Sequence, residues 1–152
     1  MATVTSLKLR FQVYTKIRKS VSEVFDAVRN PTKLSKYFTD GGASGPLEEG
    51  KIVNWSFKEP PTPPFPVYVK KVVQNKQIVF EWDVMENLKT RVEIDFESLG
   101  PSSTMVKISE GDWPENEKGL ENSYQNCQGW AQMLSCMKGY VEYGINLREG
   151  SY

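Results

Sequence analysis

Histidine is absent from this 152-residue chain. Its absence removes every Ser-His and Cys-His nucleophile pair, every imidazole base and every imidazole metal ligand. Any chemistry would have to run on carboxylates, Lys, Tyr or Cys. Cysteine is nearly as scarce: there are only two, Cys127 and Cys136, nine residues apart in what reads as one helix. At about 3.6 residues per turn that spacing puts them on opposite faces, about 13 Å apart along the axis. A disulfide needs Cα atoms within about 7 Å, so the two cannot pair. Without histidine they do not make a zinc site either. Net charge is also missing: 19 Lys and Arg balance 19 Asp and Glu. That leaves no electrostatic footprint for nucleic acid. No apolar run is long enough for a membrane span. The opening stretch MATVTSLKLRF has no apolar signal region, so a cytoplasmic, reducing location is expected. No sequence GxGxxG or other phosphate cradle occurs, and no cofactor is expected.

What remains is the composition of one globular domain spanning residues 1–152, with 39% hydrophobic and 25% charged residues. Its organisation follows from hydrophobic periodicity. From Val4 to Arg18 the chain alternates, with Leu7, Leu9, Phe11 and Val13 on one face, which is a half-buried strand. Ser20 and Glu23 have capping-box spacing, and Val21, Val24, Phe25 and Val28 form a helical stripe after them. Asn30-Pro31 reads as a second N-cap, opening a short helix to about Phe38. The glycine-rich stretch from Asp40 to Gly50 predicts a turn with a short irregular strand.

Val53, Trp55 and Phe57 then alternate. Five of the nine prolines fall between Glu59 and Pro66, a stiff exposed connection between two strands rather than a docking motif. Four strands follow, over Val67 to Val73, Gln77 to Val84, Lys89 to Ser98 and Thr104 to Glu110. Ile78, Phe80, Trp82 and Val84 share a face, as do Val92, Ile94 and Phe96, while Glu81, Asp83, Arg91, Glu93, Asp95 and Glu97 take the other. One covered and one wet face is the antiparallel pattern. After Pro114 the period changes. Leu120, Tyr124, Cys127, Trp130, Ala131, Leu134, Met137 and Val141 recur at three and four, predicting a helix from Gly119 to Tyr143 with Gly144 as its C-terminal stop. One long helix across the concave face of a curved antiparallel sheet buries both apolar faces. The expected class is therefore α+β.

This order resembles the helix-grip fold of the START-like (SRPBCC) superfamily, which includes lipid-transfer domains and polyketide cyclases. Within it, the chain is similar to the family named after the activator of heat-shock protein 90 ATPase. The residues that carry the likeness are Val21 to Val28, Asn30 to Leu34, Leu47 with Gly50, Ile78 to Trp82, Ser109 to Gly111, Gly129-Trp130, Met133-Leu134 and Tyr140 to Gly144. The resemblance implies a cavity between the long helix and the sheet and no fixed catalytic set. It makes a hydrophobic small molecule the expected partner, with a chaperone partner or a cyclase-like activity as alternatives.

Parity then nominates the residues of such a cavity. Trp55, Phe57, Phe80, Trp82 and Phe96 point inward from the sheet, and Tyr124, Cys127 and Ala131 face them from the helix. Each of the aromatics would serve equally well as packed core. Glu110 ends its strand at inner parity, so it would lie near one mouth, either as an acid, a base or an anchor for a ligand, or as a rim carboxylate that is solvated or paired with a lysine. Asn54 and Asn126 are weaker polar candidates. Trp130 reads as structural, and Gly129 as a point of close approach to the helix.

Overall fold

Strand alternation up to Gly111 and helical repetition after Pro114 require two layers. The computed structural model, which describes residues 8–151, has that arrangement. The elements run β1 (Phe11–Ile17), α1 (Val21–Arg29), α2 (Pro31–Leu34), β2 (Gly42–Ala43), β3 (Ile52–Ser56), β4 (Phe65–Val73), β5 (Gln77–Met85), β6 (Leu88–Gly100), β7 (Ser103–Gly111) and α3 (Glu117–Tyr143). The seven strands form one sheet in the order β1-β7-β6-β5-β4-β3-β2, antiparallel throughout. The last strand thus pairs with the first, and the two short helices fill the connection from β1 to the opposite edge. Register shifts between Val69 and Lys71 and between Asp83 and Met85 mark bulges that help the sheet curve.

Local sequence explains each boundary. Ser20 caps α1 by accepting the Glu23 N–H at 3.3 Å, while the Ser20 hydroxyl itself donates to the Glu23 carboxylate. Asn30 caps α2 through the N–H groups of Thr32 and Lys33, with Pro31 in the first turn. This second helix stops at Leu34, short of the expected Phe38. The N–H groups of both Phe38 and Thr39 converge on the Leu34 carbonyl, which ends the regular ladder. Tyr37 and Phe38 are still buried, and the Tyr37 hydroxyl donates to the Ala27 carbonyl. β1 begins at Phe11, and the predicted positions Val4 to Leu7 lie outside the described residues. α3 is capped by Asn116, whose side chain accepts the Gly119 N–H at 2.8 Å. A Cβ on Gly119 would lie 2.0 Å from the Pro114 carbonyl oxygen, so only glycine fits there. Gly144 ends the helix at φ 68, donating to the Tyr140 carbonyl.

The buried face of the helix differs in part from expectation. Its buried side carries Ser123, Trp130, Met133, Leu134 and Met137, with Asn126 half-buried among them. Leu120 and Tyr124 are exposed, Tyr124 to 66%, and Ala131 is exposed as well. Of the stripe read from the sequence, Trp130, Leu134 and Met137 are buried, while Leu120, Tyr124 and Ala131 fall outside the buried face. The cause is that two inward positions, Ser123 and Asn126, are polar, while the adjacent outward stripe happens to be apolar.

The far end of α3 is pinned to β1 by charge. Glu142, whose side chain is only 3% exposed, accepts the backbone N–H of Arg18 at 2.6 Å, the Arg18 guanidinium at 3.2 Å and the Lys138 ammonium at 2.7 Å. Lys138 also donates to the Lys16 carbonyl on β1. Burial alone would raise the Glu142 pKa, but the hydrogen bonds from Arg18 and Lys138 outweigh it and hold the group at about 2, down from 4.5. A depressed carboxylate pKa contributes stability that is fully present above the unfolded value and is lost as pH falls through the folded one. Glu142→Gln should therefore cost roughly 1–3 kcal/mol at neutral pH. Chemical denaturation of both proteins should show that difference shrinking as pH falls from 4.5 toward 2. A difference independent of pH would contradict this assignment.

Candidate functional site

The sheet and α3 do not close on each other along their whole length. Where β3, β5 and the middle of α3 meet, aromatic rings dominate. Phe38 sits 5.6 Å from Trp55, 5.1 Å from Phe57 and 5.4 Å from Trp130, measured between ring centroids. Trp82 and Trp130 stack at 5.4 Å with 30° between their planes, joining β5 to α3. Trp55 and Phe80 lie beneath, almost fully buried and 5.3 Å apart. Above this layer is an open cleft of about 280 Å³. Its walls are Phe38, Phe57, Trp82 and Trp130, and its rim is formed by Pro60 from the proline-rich connection and by Arg148. Gln125, Asn126 and Gly129 of α3 complete it. A Cβ built on Gly129 would meet nothing within 4 Å. The glycine faces open space, not a neighbouring element as the sequence had suggested.

Glu110 organises the layer below. It is fully buried, at 0% exposure, and does not reach a mouth of the cleft. The inner parity of β7 carries it under α3, where two tryptophans roof it. One carboxylate oxygen accepts the Trp130 indole N–H at 2.8 Å. The other accepts the Trp82 indole N–H at 2.9 Å and the Thr90 hydroxyl at 2.5 Å. The Asn126 amide donates to both oxygens at 3.2 Å. None of these four partners is a cation. The rim alternative, a solvated carboxylate paired with lysine, is thus not what the structure contains. A buried carboxylate is retained only where donors replace its hydration, and here they come from β5, β6 and α3 together.

Arg148 shows the other buried charge near the site. It is 4% exposed, with its guanidinium 3.2 Å from the Asp40 carboxylate and donating to the Glu59 carbonyl at 2.6 Å. The same guanidinium lies 4.8 Å from the Phe57 ring centroid. It holds the chain after Gly144 against the proline-rich connection. Among the described residues, no group of three or more His, Cys, Asp or Glu is placed to hold a metal.

Of the residues nominated from sequence, Phe57 and Trp82 line the cleft, while Trp55, Phe80 and Glu110 form its floor. Phe96 packs elsewhere, 5.2 Å from Phe25 of α1. Tyr124 and Ala131 point outward, off the buried face of the helix. Cys127 is half-buried, does not line the cleft, and is a free thiol like Cys136. Asn54 is exposed on β3. Sequence reasoning missed Phe38, Thr90, Arg148 and the dual role of Trp130. The spacing of Asn126, Gly129 and Trp130 was a usable signal, since it defines one helix face. Nothing in the sequence marks Arg148.

The comparisons with known proteins agree with this architecture. The profile of the family described as activator of Hsp90 ATPase homolog 1-like protein matches residues 18–142. The chain belongs to that family, and its fold is the helix-grip fold. Among functionally curated proteins none matches the sequence. Among solved structures, protein SSP2350 from Staphylococcus saprophyticus is similar with a TM-score of 0.75 and 25% identity, over 91% of this chain and 96% of that one. The Aha1 dimer from Colwellia psychrerythraea gives 0.72 and 18% identity, over 90% and 98%. CalU16 from Micromonospora echinospora gives 0.70 and 16%, over 92% and 78%. Among the described residues, no helix is long and apolar enough to cross a membrane.

The network makes a sharp energetic statement. Glu110→Leu would strand the buried indole N–H groups of Trp82 and Trp130 and the Asn126 amide. Each orphaned donor costs about 1–3 kcal/mol, and removal of the buried charge offsets part of the sum, so the variant should lose roughly 3–5 kcal/mol in urea unfolding at pH 7. A loss below about 1 kcal/mol would show that the carboxylate does not hold the layer together.

Proposed function

We propose that the chain is a binding or carrier protein for a hydrophobic small molecule, held in the cleft between α3 and the sheet. The observation that carries this reading is the opening above Trp82 and Trp130, which an adjacent glycine leaves unfilled. A mid-helix glycine costs about 0.5–1 kcal/mol relative to alanine. Nothing packs against Gly129 to require it, so the space itself is the reason for a residue without a side chain. A volume of about 280 Å³ lies at the lower end of small-molecule sites, and aromatic walls with a few polar groups are their usual lining. Glu110 does not support a proton-transfer role, because it is sealed from the cleft and both its oxygens are already engaged. The outer face of β5 and β6 is charged, with ion pairs such as Lys89–Asp83 and Arg91–Glu93, which favours the small-molecule reading over docking of a protein partner on those strands.

Gly129→Leu tests this directly. The added Cβ would meet nothing within 4 Å and the side chain would extend toward the cleft, and the helix would gain about 0.5–1 kcal/mol of propensity. The expected result is an unchanged or raised melting temperature together with loss of binding of a hydrophobic probe dye. Retained dye binding in a folded variant would retire the cleft as the binding site.

A further inference from the structure

The charge beneath the cleft says what kind of hydrophobic molecule suits it. Four aromatic side chains, Phe38, Phe57, Trp82 and Trp130, surround the open space. Both indoles donate their N–H to the same buried carboxylate, at 2.9 and 2.8 Å. A carboxylate at the N–H edge of an indole pushes electron density into the ring and makes its face more attractive to positive charge. The electrostatic effect is large because the group is fully buried, away from the screening of water. The four donors that Glu110 meets are neutral, so no positive side chain cancels its charge. Asn126 turns its amide nitrogen down to Glu110, which directs its carbonyl oxygen, the end that attracts cations, away from the carboxylate.

Arg148 is the one charged residue among those lining the cleft, and it is balanced by Asp40 at 3.2 Å. Its own guanidinium rests 4.8 Å from the Phe57 centroid, so the aromatic rim already accommodates one cation.

We propose that the cleft selects a weakly hydrated organic cation, a quaternary ammonium or bulky amine attached to an apolar body. The half-buried Trp82 is its cation–π wall, with the buried Trp130 stacked behind it, and Glu110 is the positioning residue that supplies the charge. The proposal rests on the small-molecule binding reading above and specifies its ligand class. Multiple aromatic faces around a desolvated ammonium are the recognised means of holding such groups. A single ring supplies modest attraction, whereas an electron-rich pair backed by an anion distinguishes a cation from a neutral molecule of the same shape.

The test uses the unmodified protein and two isosteres, meta-hydroxyphenyl trimethylammonium and meta-tert-butylphenol. They differ only in whether the central atom of the branched group is N⁺ or carbon. Titration is followed by tryptophan fluorescence. The expected result is binding of the ammonium compound about tenfold tighter or more than the neutral one, against the neutral compound's hydrophobic advantage. Equal or tighter binding of the neutral isostere would overturn the cation proposal and leave small-molecule binding standing. Binding of neither compound at millimolar concentration would overturn both. Glu110→Gln adds a second readout where circular dichroism shows it folded: affinity for the cation should fall toward that of the neutral isostere. A folded Glu110→Gln protein that keeps the full tenfold preference would show that the charge comes from elsewhere and contradict the proposal.

Discussion

A carboxylate without a cation sets the terms for the middle of this molecule. Glu110 takes hydrogen bonds from Trp82, Thr90, Asn126 and Trp130, so β5, β6, β7 and α3 are tied at one point by directional contacts. Hydrophobic packing alone would let the long helix rotate or slide over the sheet at small cost, since apolar attraction is non-directional. The network does not permit it, because any shift of α3 leaves buried donors unpaired. The orientation of both cleft tryptophans follows from the same constraint, since each ring is held by its only donor.

That constraint also explains why an opening persists. Elsewhere Met133, Leu134 and Met137 pack fully against the sheet. Around Gly129 the helix is held at the height set by Asn126 and Trp130, and the glycine leaves the resulting gap empty. The second anchor, Glu142 with Arg18 and Lys138, fixes the other end of the same helix to β1. Between two polar anchors the helix has no freedom to collapse onto the cleft. Arg148 and Asp40 close the rim from the chain beyond Gly144.

The fold was legible because its signals are periodic and redundant. The alternation of Ile78, Phe80 and Trp82 and of Val92, Ile94 and Phe96 gave the inner face, and Asn30-Pro31 and Gly144 gave boundaries. The site was only half legible. Parity correctly turned Glu110 inward, but parity does not say what lies opposite, and the partners Thr90, Asn126 and Trp130 come from two other elements. Hydrophobic periodicity places Trp130, Leu134 and Met137 correctly but not the N-terminal part of the buried helix face. There the buried side contains Ser123, which donates to the Leu120 carbonyl, and Asn126, which donates to Glu110, while Tyr124 and Ala131 face out. A functional layer built on hydrogen bonds is where hydrophobic periodicity fails. Arg148 was invisible because a charge held by Asp40, more than one hundred residues away in sequence, leaves no local pattern.

The indole N–H resonances of the four tryptophans offer the most direct check on the claim that Glu110 shapes a ligand-accepting cleft. In a ¹H–¹⁵N spectrum recorded during titration with a hydrophobic probe, the Trp82 and Trp130 signals should move together and saturate at one concentration. The Trp113 signal, from the ring packed near Phe11 at 6.4 Å, should stay in place. Movement of Trp113 with Trp82 and Trp130 unchanged, or no movement of any indole at saturating probe, would contradict the account.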